Sequence, residues 1–322
     1  MILAGLDEAG YGPLLGPLVV GCCAFRVADP GAEELPCVWK RLRRIASKKK
    51  TASGKKLHFN DSKIVYSPSI GLKPLERSVL ALSHATYGAA DDLPSLLRQV
   101  APHVLDDLRG YPWYQPAENE RFPLEHQVAA VRILGDTLSR EMDQNGAKCV
   151  HLAARVVCER QFNRLVSATR NKASVLFSTG AIHLDYLMNH FGQQGLTIFC
   201  DRQGGREHYG SLLRLMFDAW ALEIIDEREA ASEYHLTRDG HVVRILFREK
   251  AEAQCLPVAA ASMLCKYLRE ALMRRFNAFW AIHMPDVPPT AGYYKDGGRF
   301  LRDIDVKRRE MGITDDELVR LA

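Results

Sequence analysis

The sequence predicts an α/β protein: a mixed β-sheet with helices packed on its faces. Three observations carry this. The chain opens on two short apolar, β-rich segments, Met1–Leu6 and Pro17–Val27, separated by the turn signal Gly10-Tyr11-Gly12-Pro13. A nearly uninterrupted apolar run, Gly195–Asp201, lies between segments of helical spacing. Strand and helix patterns then alternate to the end of the chain, the arrangement of a sheet covered by helices.

The elements follow in order. Met1–Leu6 reads as a buried strand ending near Asp7-Glu8, and Pro17–Val27 as either a second strand or a second and a third, so that the opening is a strand–turn–strand unit. Residues 28–60 read as an inserted surface loop. Leu75–His84, Leu93–Leu108 and Leu124–Asn145 carry helical spacing, with the aromatic loop Tyr111–Pro116 between the last two. Val150–Val157 reads as a strand, and Gln161–Phe191 as helix in two pieces. After the strand at Gly195–Asp201 come the Gly204-Gly205 loop and a helix from about Tyr209. Leu222–Glu227 reads as a strand, and Asp239-Gly240 as the turn of a hairpin. Pro257–Phe276 reads as a helix with proline in its first turn, and a last helix begins near Arg299. No composition shift marks a boundary. The expectation is one domain over 1–322, with a basic insertion at about 28–60 and a C-terminal helical part from about 277.

Composition limits the class. The 322 residues are 47% hydrophobic and 25% charged, close to the globular average of roughly 45–50% and 25%. Disorder, collagen and coiled coil are excluded as whole-chain descriptions. No apolar run approaches the roughly 20 residues of a membrane helix, and the N-terminus has no basic lead-in, so neither membrane nor signal peptide is expected. The net charge is +4, too small to imply nucleic acid by itself. The eight cysteines contain no C-x-x-C pair. They read as buried free thiols of a cytoplasmic protein, with spacing that does not suit zinc. In the insertion, Lys40–Arg44, Lys48–Lys50 and Lys55-Lys56 concentrate positive charge. That is either a solvated face or an arm that contacts phosphates.

Four acids stand out by position. Asp7 and Glu8 close the first strand, Asp201 closes the interior strand, and Glu270 lies late on the helix from Pro257. Taken singly, each has a plain reading as a turn cap, a helix cap or an exposed helix acid. Taken together, carboxylates at the ends of buried strands are costly unless neutralised or coordinated. Hard divalent cations such as magnesium or manganese do that. Ser262, Lys266 and Glu270 are spaced by four and share a helix face.

The local sequences resemble ribonucleases HII and HIII. Leu6-Asp7-Glu8-Ala9-Gly10-Tyr11-Gly12-Pro13 is similar to the family's opening motif, and Asn60-Asp61-Ser62-Lys63 to its Asp-Ser-Lys segment. Pro257–Glu270 resembles its Ala-Ala-Ser…Lys…Arg-Asp/Glu helix, and Gly292-Tyr293 its late Gly-Tyr motif. The resemblance implies a ribonuclease H-like fold and magnesium- or manganese-dependent cleavage of the RNA strand in RNA–DNA hybrids or ribonucleotide-containing duplex DNA. It implies that Asp7, Glu8, Asp201 and Glu270 are the catalytic, metal-binding acids, Asp201 being matched by its strand and order, with Asp185 as competitor. It implies substrate contacts from Gly10, Tyr11, Gly12, Lys63, Ser262, Lys266 and Tyr293, with Tyr294 adjacent to the last.

The chain also departs from the family. Tyr11 stands where ribonucleases HII have Arg and HIII have Lys, so a side-chain charge is lost and a ring capable of stacking is gained. His208, soon after Asp201, is a candidate proton shuttle. The alternative reading is a hybrid-binding protein, or a nuclease of altered specificity, that no longer reads the ribose 2′-hydroxyl.

Overall fold

The computed structural model describes residues 1–28, 35–52, 54–116, 120–228 and 230–321. Its main sheet has seven strands: β1 (Ile2–Ala9), β2 (Leu18–Val27), β5 (Ala147–Val157), β6 (Leu196–Asp201), β7 (Ala221–Arg228), β8 (Ala231–Arg238) and β9 (His241–Arg248). Two short strands, β3 (Ala46–Ser47) and β4 (Leu57–His58), pair apart from it. The order across the sheet is β5-β2-β1-β6-β9-β8-β7. β1, β6 and β9 run parallel, while β2, β5, β7 and β8 pair antiparallel with their neighbours. The sheet is therefore mixed and flanked by helices, as the sequence predicts.

Strand alternation divides the core. On β1, Ile2, Ala4 and Leu6 join one apolar layer with Leu184, Leu187 and Met188 of the helix Lys172–Phe191. Leu3 faces the opposite layer, built around the helix Leu256–His283. That long helix lies on the sheet at very short range. A Cβ on Gly5 would meet Val258 N at 2.1 Å, and one on Gly21 would meet Cys265 Sγ at 2.5 Å. Glycine in the strands and the run Ala259-Ala260-Ala261 in the helix make this approach possible.

The structure settles one expectation and revises three. Pro17–Val27 forms a single strand. Leu93–Leu108 forms two helices, Leu93–Val100 and Val104–Arg109, because Pro102 interrupts the first. The last long helix starts at Tyr294. Within 28–60, residues 29–34 and 53 fall outside the described residues, but the remainder is no loose surface loop. Trp39, Leu42, Ile45, Leu57 and Phe59 are buried in the main core, and Arg77 binds the carbonyls of Gly54, Lys55 and Lys56. The apolar residues between the basic clusters anchor the segment and leave Arg43, Arg44, Lys49 and Lys50 exposed. All eight cysteines are free, seven of them buried. Among the described residues, no helix is long and apolar enough to cross a membrane.

Candidate active site

Parallel pairing brings the ends of β1, β6 and β9 to one edge of the sheet, where open α/β sheets bind their ligands. Leu6 pairs with Cys200. One further step of that register sets Asp7 beside Asp201, on the face covered by the long helix. The Glu8 amide donates to Asp7 Oδ1 at 2.7 Å. Ser262 on the long helix is hydrogen-bonded to the Asp7 carboxyl, and the Cys265 thiol to the Asp7 carbonyl at 3.4 Å.

The electrostatics mark these acids as one group. Burial, then Glu8 and Asp201, raise the Asp7 carboxyl well above the usual carboxylate range. Burial and then Asp201 raise Glu8 to about 7, against the pull of Lys63. Burial also raises Asp201, opposed by the Ala251 amide and by Lys63. A cluster of this kind, disfavoured as bare charge, suits a hard cation. The three carboxylates stand looser than a closed metal cage: among the described residues, no three acids bring ligand oxygens within 4.8 Å of one another. Like charges at shorter range would repel more strongly.

Glu252 joins this group, although sequence reasoning passed over it. It follows β9, is buried, and shares a hydrogen bond with Asp201. Burial, then Asp201 and Asp61, raise its carboxyl to about 7. The missed signal was topological, since a strand parallel to β6 delivers whatever follows it to the same edge. Asp61 caps the short helix Ser62–Val65 by accepting from the Lys63 amide, and thereby aims Lys63 at the acids.

Glu270 sits elsewhere. It lies eight residues beyond Ser262, about 12 Å along the helix axis at roughly 1.5 Å per residue. Its Oε1 accepts from Lys266 Nζ at 2.7 Å and its Oε2 from the Tyr66 hydroxyl at 2.8 Å. Lys266 also lies over the Tyr66 ring at 4.7 Å. The structure thus brings Asp7, Glu8, Asp201, Lys63 and Ser262 together, with Lys266 one turn and its partner Glu270 about two turns beyond Ser262 along the helix.

The turn after β1 is clamped from beneath. Gly10 has φ +85°, and a Cβ there would strike Pro17 O and Arg269. The buried Arg269 donates to Leu15 O and Ala291 O, and the buried Arg320 to Gly10 O and Pro13 O. Gly292 O accepts from the amides of Leu14 and Leu15, which docks the Gly292-Tyr293 segment on the turn. Tyr293 and Tyr294 are exposed, and Arg269 lies 5.7 Å from the Tyr293 ring centre. Tyr11 packs against Gly204 with Lys172 over its ring at 5.0 Å. A Cβ on Gly12, by contrast, would meet nothing within 4 Å.

Two further candidates are resolved. His208 is exposed, with Nδ1 3.3 Å from Glu227 Oε2. Asp185 accepts from Asn189 on the exposed face of its helix.

Comparison with known proteins agrees with the motif resemblance. Over 60 residues the chain is 46% identical to ribonuclease HII of Methanocaldococcus jannaschii. That stretch is 19% of this chain, and the match spans a quarter of the length of the curated relative. No family model matches the chain. Among solved structures, the PCNA:RNase HII complex of Archaeoglobus fulgidus is 14% identical, covering 100% of this chain and 94% of that one at a TM-score of 0.44. Bst-RNase HIII in complex with Mn2+ is 14% identical, covering 100% and 66% at 0.45.

Proposed function

We propose that this chain, similar to ribonucleases HII and HIII, is a metal-dependent endonuclease that hydrolyses the RNA strand of RNA–DNA hybrids or of duplex DNA containing ribonucleotides. In this reading residues 1–322 act as one domain in the cytoplasm. The observation that carries it is the convergence of Asp7, Glu8 and Asp201, with Lys63, at the shared end of two parallel strands.

The donor set fits magnesium or manganese, being all carboxylate oxygen. One or two such ions supply Lewis acidity for water attack and for the departing 3′-oxygen. The chain's own groups do the rest. Asp7, Glu8 and Asp201 hold the cation, and Ser262 fixes Asp7 through its hydroxyl. Lys63 and Lys266 offer their ammonium groups to the phosphates of the scissile strand. Glu270, whose carboxylate is held by Lys266 and Tyr66, would be the fourth acid to hold the cation.

Recognition of the ribose falls to the Gly10-Tyr11-Gly12 turn. The open space at Gly12 lets a nucleotide approach the backbone, so amide and carbonyl groups meet the 2′-hydroxyl that distinguishes RNA from DNA. Tyr293, half exposed, presents a ring for stacking.

The test is cleavage of three substrates, each with magnesium and with manganese: an RNA–DNA hybrid, duplex DNA with one ribonucleotide, and plain duplex DNA. The expected result is cleavage of the hybrid, loss of it in Asp7→Asn, and no cleavage of plain DNA. Cleavage of plain DNA, or full activity of Asp7→Asn, overturns the proposal. Tyr11 favours a second reading, hybrid binding without 2′-hydroxyl discrimination, since its ring packs on Gly204 in place of a charged side chain. Tight hybrid binding with no cleavage under either metal would select it.

A further inference from the structure

Behind the acid edge, on the opposite face of the sheet, lies a set of ligating groups of different chemistry. Ala24 of β2 pairs with His151 of β5, so Cys22 and His151 are diagonal neighbours on one face. His183, from the helix Lys172–Phe191, reaches down onto that face. The Cys22 thiol and one ring nitrogen from each histidine lie within 4.8 Å of one another. Cys22 and His183 are buried, while His151 is partly exposed.

We propose that Cys22, His151 and His183 form a binding site for one zinc-class divalent cation, separate from the acid group.

Ligand chemistry supports this. A thiolate with two imidazoles suits zinc or cobalt, whereas carboxylates suit magnesium or manganese. The second layer is in place for His183: its Nε2–H donates to Val20 O at 3.0 Å, which leaves Nδ1 with its lone pair. Burial pushes the Cys22 thiol up. Binding therefore forms the sulfur–metal bond as the thiol proton leaves to solvent. Zinc–sulfur and zinc–nitrogen bonds of about 2.3 and 2.0–2.1 Å imply ligand separations of roughly 3.3–3.6 Å. Side-chain shifts of about 1 Å close the set to that size. Cysteine spacing along the sequence argued against zinc; here the ligands come from two strands and a helix.

The experiment is titration of the full chain, stripped by chelator, with cobalt(II) followed by absorption. Expected is one cobalt per chain that gives a thiolate charge-transfer band and tetrahedral d–d bands, displaced by zinc. Cys22→Ala should abolish the band, and His151→Gln should weaken binding at least about tenfold. Cys149→Ala and Asp7→Asn should leave both unchanged. The absence of a thiolate band in the wild type, or its survival in Cys22→Ala, overturns the proposal. Should Cys22→Ala fail to fold, His151→Gln decides, because its ring is partly exposed: undiminished cobalt affinity there also overturns it.

Discussion

The hydroxyls of Ser262 and Ser62, 200 positions apart in the chain, are hydrogen-bonded at 3.1 Å. Ser262 Oγ also accepts from the Ser62 amide at 3.3 Å and bonds the Asp7 carboxyl. One buried hydroxyl thus ties the segment that carries Lys63 to the first acid of the site. Ser262→Ala leaves the Ser62 amide buried without this acceptor, at a cost of about 1–3 kcal/mol. A lower urea midpoint at unchanged m-value is the expected outcome. A wild-type midpoint would show that the link contributes nothing.

Glu252 shares a hydrogen bond with Asp201 and adds a second carboxyl beside it. Glu252→Gln keeps the volume but offers Asp201 an amide in place of an acid. Loss of such an outer partner typically weakens metal binding 10–100-fold. Calorimetric titration with manganese should show this weakening, while an undisturbed isotherm would detach Glu252 from the site.

Sequence pattern exposed the strands well because short apolar runs such as Leu196–Cys200 have one stable fate, burial in a sheet. It located Asp7, Glu8 and Asp201 because polar residues closing such runs are conspicuous. Parallel pairing was hidden, since β9 reads as half of a local hairpin with β8 while its other edge lies against β6. Glu252 stayed invisible for that reason. The helix spacing of Ser262, Lys266 and Glu270 was right as a shared face. A shared face is still a row about 12 Å long, with Ser262 at the Asp7 end. The insertion was misjudged because its charges outnumber its anchors; Trp39, Ile45 and Phe59 are spread singly among lysines and arginines.

Gly5→Ala tests the contact between helix and sheet. The new methyl would sit 2.1 Å from Val258 N and 2.4 Å from Pro257 C, both backbone atoms that cannot rotate aside. The long helix must lift from β1, and overpacking of this kind costs about 1–3 kcal/mol or more. A clear drop in melting temperature is expected, and a wild-type value would mean that the helix shifts freely.

Gly12→Ala is the contrasting case. Its methyl would meet nothing within 4 Å, so the folded chain should tolerate it with a stability change within about 0.5 kcal/mol. The same methyl occupies the space through which a ribose would approach the turn. Hybrid cleavage should fall with a raised KM while thermal melting is unmoved. Equal losses in both measurements would mean that the glycine serves the fold instead.

His103 supplies a pH dependence remote from the acids. Its Nε2 accepts from the Val156 amide at 3.2 Å, against 3.4 Å to the Val156 carbonyl, which requires a neutral ring. Burial, then the nearby Arg155, lowers it to about 4, opposed by the Val156 carbonyl and then by Asp107. The unfolded ring titrates near 6.5. Between those values the unfolded chain binds the extra proton, so the stabilisation is complete above about 6.5 and is lost as pH falls toward about 4. The slope is at most about 1.4 kcal/mol per pH unit. His151 and His183 titrate in the same acid range, so the comparison must be with a variant. His103→Gln keeps an acceptor for the Val156 amide and removes the titration. Urea melts across that window should give the variant a flatter acid limb, and parallel limbs would mean that the ring takes its proton without cost to the fold.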